Sequence, residues 1–312
     1  MAVAVATVAV LAMPAPAGAA SVAPAYPPDF PDPFILRVGG TFHAYATQTG
    51  STNVQRMQST DTVRWRSPGD ALPALPPWAE WGHTWAPAVL QRGLTYVLYY
   101  TARDRNSGRQ CISRAVSLLP QGPYLDMSSS PWLCQLDRGG SIDPYAFEDG
   151  GAPYLAWKSD DNALNRPTSL WGQRLSADGL SLVGSPAQLL VSDAAWEGSV
   201  IEGPAMVSTG GRRYLFYGAN GWDSANAAIG YGTCSGPLGP CTKVTSAGPW
   251  MGSHGQAVGP SGPTFFTDGA GALRMGYHAW SPGKVGYGAG GARSLWIDRV
   301  DFVGGQPVVS GL

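Results

Sequence analysis

The chain has 312 residues, 44% of them hydrophobic and 13% charged, with 42 Gly, 27 Pro and a formal net charge of −1. With no basic run, nucleic acid and anionic membranes are poor candidate partners. The Gly and Pro content disfavours long helices and suits many short strands joined by turns, with enough apolar residues for a full core.

The chain opens on MAVAVATVAVLAMPAPAGAA, which carries no charge and ends in small residues. Ala17-Gly18-Ala19 has the form of a signal-peptidase site, so residues 1–20 are predicted to be a signal peptide of a secreted, extracellular protein. The segment lacks the usual basic start, but a membrane anchor is the weaker reading, because the apolar run stops at Pro14, too short to span a bilayer. Residues 21–312 are then predicted to form a single domain.

Five segments follow with one pattern: proline, alternating apolar residues, a Gly-containing turn and an aromatic-rich strand. They begin at Pro33, Pro87, Pro144, Pro204 and Pro263 and read PFILRVGGTFHAYAT, PAVLQRGLTYVLYYT, PYAFEDGGAPYLAWK, PAMVSTGGRRYLFYG and PTFFTDGAGALRMGYHAW. The spacing of roughly 54 to 60 residues is blade-sized, which predicts an all-β, five-bladed β-propeller. The stretch after each hairpin reads as a third and fourth strand. A two-sheet sandwich would also use many short strands, but it gives no reason for a fivefold spacing. Within blade two and just after it stand Cys111 and Cys134, and Cys234 and Cys241 bracket SGPLGP in blade four. Proximity suggests these two disulfides, which fit export; no CxxC spacing supports a metal site.

Proline tolerates the start of an inner strand, and it is expected to push the residue before it into an extended conformation. The residues before the five prolines are Asp32, Ala86, Asp143, Gly203 and Gly262, with Glu202 one step earlier in blade four. A propeller would carry these three carboxylates to one end of one channel. Fivefold symmetry puts Asp32 and Glu202 about 144° apart and Asp143 about 72° from Glu202. The small residues next to the prolines of blades two and five are expected to leave room between the acids for a ligand. Two opposed carboxylates with a sugar and a water between them make an inverting glycosidase. In that reading Asp32 is the general base, Glu202 the general acid, and Asp143 raises the pKa of Glu202 by like-charge repulsion. The rival is that Asp-Pro and Glu-Gly-Pro are ordinary turn pieces, but three at matching positions favour function.

At these residues the chain resembles glycoside hydrolase family 43. DPFILRVGGTFHAYAT, QSTDTVRW, TWAPAVL, SIDPYAFEDGG and IEGPAMVSTGGRRYLFY carry the likeness. The resemblance implies an inverting five-bladed enzyme acting on α-L-arabinofuranosyl or β-D-xylosyl chains, with arabinan, arabinoxylan or a related oligosaccharide as substrate. Two departures stand out. Blade two has Ala88 where the family often has an acid, and blade five reads Gly259-Pro260-Ser261-Gly262 where the family often has a histidine. No cofactor is required for the chemistry. The family's axial calcium is implied by the resemblance, but the missing histidine counts against it, with His278 as a partial replacement.

Twelve Trp and thirteen Tyr can serve a core or stack on sugars. Trp85, beside the channel, is the leading stacking candidate, and His278 and Arg293 are further candidate substrate-binding residues. Trp78 and Trp81 could shape outer subsites, and Asn220 and Trp222 follow the acid blade. Lys158 and Asp160 end the second strand of blade three and could reach the rim, but a solvated turn is the stronger reading. The expected function is a secreted, monomeric glycosidase, an α-L-arabinofuranosidase or arabinanase, with a β-xylosidase or a catalytically silent lectin-like propeller as alternatives.

Overall fold

A computed structural model describes residues 21–310; the predicted signal peptide lies outside the described residues. The first strand, β1 (Tyr26–Asp29), waits for the last blade. Blade one is β2 (Phe34–Val38), β3 (Thr41–Ala46), β4 (Gln55–Ser59) and β5 (Arg66–Asp70). Blade two has β6 (Ala79–Arg92), β7 (Thr95–Asp104) and β8 (Gln110–Ser117). Blade three is β9 (Ser141–Asp149), β10 (Ala152–Ser159), β11 (Ser169–Leu175) and β12 (Leu182–Val191). Blade four is β13 (Ile201–Thr209), β14 (Arg212–Ala219), β15 (Ala228–Cys234) and β16 (Cys241–Lys243). Blade five is β17 (Val258–Thr267), β18 (Leu273–Trp280) and β19 (Ser294–Val303), with β1 and β20 (Gln306–Val309) both paired to β19.

The protein is a five-bladed β-propeller, as the repeat predicts. The inner strands β2, β6, β9, β13 and β17 each touch the next, and β17 touches β2, which closes the ring. Blade two departs from the expected four strands. Its outer edge, β8, is met among the described residues by single bridges, Gln110 with Gly140, Ile112 with Leu133 and Val116 with Leu125. The first hairpins of blades one to four turn through two residues, and Gly150, Gly151, Gly210 and Gly211 take the positive φ such tight turns need. Both predicted disulfides are present, Cys111–Cys134 and Cys234–Cys241.

Most aromatic residues serve the core. Trp157, Trp280, Trp296, Tyr45, Tyr99 and Tyr217 are fully buried. Trp78 is also buried and donates its indole N–H to Ser128. Apolar residues on both faces of the middle strands follow from stacking each blade between two others.

The residues before the five prolines are not extended. Asp32, Ala86, Asp143, Gly203 and Gly262 have φ of 52, 42, 54, 56 and 62°, all left-handed. In blades two to five the strand pairing slips at this point, between Trp85 and Ala88, opposite Ala156 and Lys158, between Glu202 and Ala205, and between Ser261 and Thr264. A bulge that carries a left-handed residue bends the inner strand and re-aims its side chains. Proline disfavours the right-handed helical region before it, and both other regions satisfy that constraint; in blades two to five the left-handed one goes with the bulge, and Asp32 adopts it where the β2–β3 pairing does not slip. Asp tolerates this conformation better than most residues, and Gly best.

Candidate active site

The kinked ends of the inner strands surround a cavity of about 600 Å³. Asp32, Asp143 and Glu202 all line it, together with Trp85, Lys158 and Arg293. A Cβ on Gly262 would lie 2.9 Å from His278 Nδ1 on the adjacent strand of its own blade, whereas its 3.4 Å approach to the Asp32 Cα, and that of a Cβ on Gly203 to the Gly262 Cα, would be ordinary contacts between blades. The small residue at 262 therefore makes room for the His278 ring, not only for a ligand.

Asp32 is held from three sides. The Thr47 hydroxyl donates to Oδ2 at 2.5 Å, and Arg293 Nη1 donates to Oδ1 at 3.2 Å. The Asp32 backbone N–H donates to His278 Nδ1 at 3.0 Å. Thr47 also accepts the Ala86 N–H, tying blade one to blade two at the same point. Burial would raise the Asp32 carboxyl, but Arg293, His278 and the Thr47 hydrogen bond outweigh it and hold it below the ordinary carboxylate range. His278 is itself pushed down to about 3 by burial and by Arg293, so it is neutral at neutral pH. Arg293 and Thr47 then account for the lowering there.

Asp143 has the opposite setting. Its Oδ2 accepts the Gly203 N–H at 3.0 Å, and its own N–H donates to Thr101. Its carboxyl is pushed up to about 7, first by burial and then by the charge of Glu202, with Lys158 opposing. This elevation on Asp143 itself is not foreseen in the sequence. The contacts explain the direction: a cation touches Glu202, whereas Asp143 receives only a backbone N–H.

That cation is Lys158. Its side chain is 1% exposed, with Nζ 3.2 Å from Glu202 Oε2 and 3.6 Å from Asp160 Oδ1. The solvated-turn reading of Lys158 is corrected, because the β9 bulge faces β10 just where Lys158 leaves it. Burial disfavours the charged ammonium, but Glu202, Asp143 and Asp160 outweigh it and hold its pKa above the ordinary value.

The sequence profile of glycosyl hydrolases family 43 matches residues 23–307. The chain belongs to that family. A curated relative, "Probable arabinan endo-1,5-alpha-L-arabinosidase A" of Aspergillus flavus, is 26% identical over 298 residues, covering 89% of this chain and 90% of that protein. Among solved structures, a thermostable family-43 glycoside hydrolase superposes with a TM-score of 0.79 at 29% identity, over 91% of this chain and 93% of that one. An endo-1,4-beta-xylanase from Bacteroides thetaiotaomicron gives 0.78 at 26% identity, over 94% and 97%. Of the two classes that the sequence leaves open, membership supports the glycoside hydrolase.

The other residues fall into place around this family 43 cavity. Trp85 lines the wall, half-buried, with His83 edge-on at 6.4 Å. Arg293 also lines it, its Nε donating to the Tyr287 hydroxyl and its guanidinium 4.5 Å from the Trp222 ring. His278 is corrected: at 1% exposure it stands behind Asp32 and props its backbone, and it is not among the residues lining the cavity. Trp222 lines the cavity, whereas Asn220 spends its amide on the Trp196 and Asn226 carbonyls. Trp81 is 58% exposed beside a separate, smaller cavity with Asn53 and Arg105. Ala88 is fully buried within blade two, so an acid at that position would not face the cavity directly.

Sequence reasoning passed over Asn162, Tyr287 and Asp29, which also line the cavity, and gave Lys158 too little weight. The available signal was a Lys placed directly after Trp157 within an otherwise apolar strand. The residues around the channel end do not fit a directly ligated calcium. That ion wants six to eight oxygens, and here His278 and Arg293 crowd the one carboxylate of blade one.

Proposed function

We propose that the protein is a secreted, inverting glycoside hydrolase that cleaves arabinofuranosyl linkages in plant polysaccharides. The observation that carries this reading is the unequal electrostatic setting of three carboxylates on one cavity. Asp32, held ionised beside Arg293, can accept a proton from water as that water attacks the anomeric carbon. Glu202 gives its proton to the leaving oxygen as the glycosidic carbon–oxygen bond breaks. The Asp143 carboxyl, pushed up to about 7 by burial and by the charge of Glu202, is the third and contrasting setting. The Asp143 carboxyl also holds the Gly203 N–H, which fixes the backbone next to Glu202.

Arabinan as substrate is supported by the Aspergillus relative's name, and xylan, the second reading, by the Bacteroides neighbour's. Secretion is supported by two disulfides, which persist in oxidising compartments. The test is incubation with aryl α-L-arabinofuranoside, aryl β-D-xyloside and linear arabinan, with proton NMR of the first-formed sugar. Arabinose release with inverted configuration is expected. Retained configuration would overturn the inverting assignment, and release of xylose alone would replace the substrate. Asp32→Ala should abolish turnover on every substrate, whereas Glu202→Gln should spare substrates with good leaving groups, which need little protonation.

A further inference from the structure

Each of the two opposed acids has its own buried cation. Asp32 has Arg293, 7% exposed and 3.2 Å away, and Glu202 has Lys158, 1% exposed and 3.2 Å away. The proposed reaction moves negative charge between them. Before bond cleavage Asp32 is the anion and Glu202 is protonated. Afterwards Asp32 has taken a proton from water, and Glu202 has lost one to the leaving oxygen. Negative charge has thus passed from the side of Arg293 to the side of Lys158.

We propose that Lys158 is a positioning residue for the acid, whose fixed ammonium neutralises the Glu202 carboxylate as it forms. The proposal rests on the reading of Glu202 as the acid. It assigns to Lys158 a role in the proton-transfer step as well as in holding the fold. A donor that is already in place when charge develops needs no reorganisation at that moment, which is where fixed charges are most effective.

The surroundings leave Lys158 as the cation in contact with Glu202. Arg293 is engaged by Asp32, Tyr287 and the Trp222 ring. His278 is neutral and bound to the Asp32 N–H. The charged groups facing Lys158 are Glu202 from β13, Asp143 from β9 and Asp160 from the end of its own strand. Asp161, one residue on, is buried and paired with Arg138 and Arg166, so it draws nothing from Lys158. Lys158 is delivered by pairing: it lies opposite Ile142 on β9 and Leu170 on β11, at the bulge that also turns Asp143 inward. Asp160, whose side chain is 13% exposed, shares the ammonium with Glu202 and limits how strongly Glu202 feels it.

The test uses the whole enzyme and the series of aryl glycosides it turns over, graded by leaving group, with kcat followed against pH. Lys158→Met should move the alkaline limb up by a pH unit or more. It should cut kcat about tenfold on poor leaving groups and less than threefold on good ones. Lys158→Arg should restore both. Asp160→Asn should move the alkaline limb down, because it frees the ammonium and removes a negative charge. Its opposite sign holds even where Lys158→Met does not fold. Limbs that stay in place in the variants that fold, or equal loss across all leaving groups, would overturn the proposal. Glu202→Gln is run in parallel. If it shows no leaving-group selectivity, the acid assignment itself fails, and the role of Lys158 with it. If it does and the limbs stay put, only the Lys158 proposal falls.

Discussion

Replacing Gly262 with Ala should damage both stability and catalysis, and the two costs have separate origins. At φ of 62° an L side chain costs about 1–2 kcal/mol. The new methyl would also sit 2.9 Å from His278 Nδ1 and 3.1 Å from Cε1, on a ring that is 1% exposed and cannot swing away. Overpacking of this kind adds about 1–3 kcal/mol, for a total of roughly 2–5 kcal/mol. His278 accepts the Asp32 N–H, so a displaced ring shifts the candidate base, and kcat/KM should fall by about 10–100-fold. Gly203→Ala is the control. Its φ of 56° brings the same backbone cost, but its nearest neighbour would be an ordinary 3.4 Å contact. It should lose only about 1–2 kcal/mol. Chemical denaturation of both variants, with initial rates on an aryl glycoside, separates the terms. Equal destabilisation of the two, or a Gly262→Ala enzyme with unchanged kcat/KM, would refute the clash with His278.

Asp143→Asn should change how stability depends on pH. The native carboxyl titrates at about 7 against an ordinary 3.8, so the folded state binds more protons between those values and stability falls as pH rises through that window. The variant's denaturation midpoint should be flatter over the same range, and an unchanged slope would count against the elevation. Arg293→Met should raise the acid limb of kcat/KM, because Asp32 loses the charge that keeps its carboxyl low. An unmoved limb would show that Arg293 does not set the ionisation of Asp32. Paired Ser substitutions at Cys111 and Cys134, whose separation is 23 residues, should cost roughly 3.4 kcal/mol; those at Cys234 and Cys241, separated by 7, should cost roughly 2.4 kcal/mol. The reverse ranking in chemical denaturation would break the loop-entropy account. Trp85→Ala should raise KM on oligosaccharides about 2–10-fold with little change in kcat, as loss of a stacking face requires.

The repeat and its three acids were legible because proline punctuates every inner strand and the acids sit one or two residues before it. That offset is enough to place Asp32, Asp143 and Glu202 on one cavity, since symmetry does the rest. What escaped reading depends on pairing between strands. In blades two to five the left-handed turn before the proline goes with a bulge, and a bulge is a mismatch with the neighbouring strand that no single segment displays. Lys158 was given too little weight for the same reason: a lysine near a strand end reads as solvated until the bulge opposite turns it inward. His278 lies next to aromatic residues that suit a sugar site equally well, and only the approach of Gly262 shows that its ring has no room to reach one. Blade two looked four-stranded because QGPYL carries strand-like residues, yet only isolated bridges join it to β8.

The outermost strand of blade five is a composite. β1 lies along the start of β19 and β20 along its end, with Ser21 bonded to Asp298 and Ser310 to Arg299. The first strand among the described residues therefore has no mate until one some 270 residues later is made, on the order of 15–50 s at ~5–20 residues per second. Four blades can assemble as they emerge, while the fifth stays an open seam. Segments near the two ends clasp it from both directions, so the torus locks as its final act and the cavity takes shape with it.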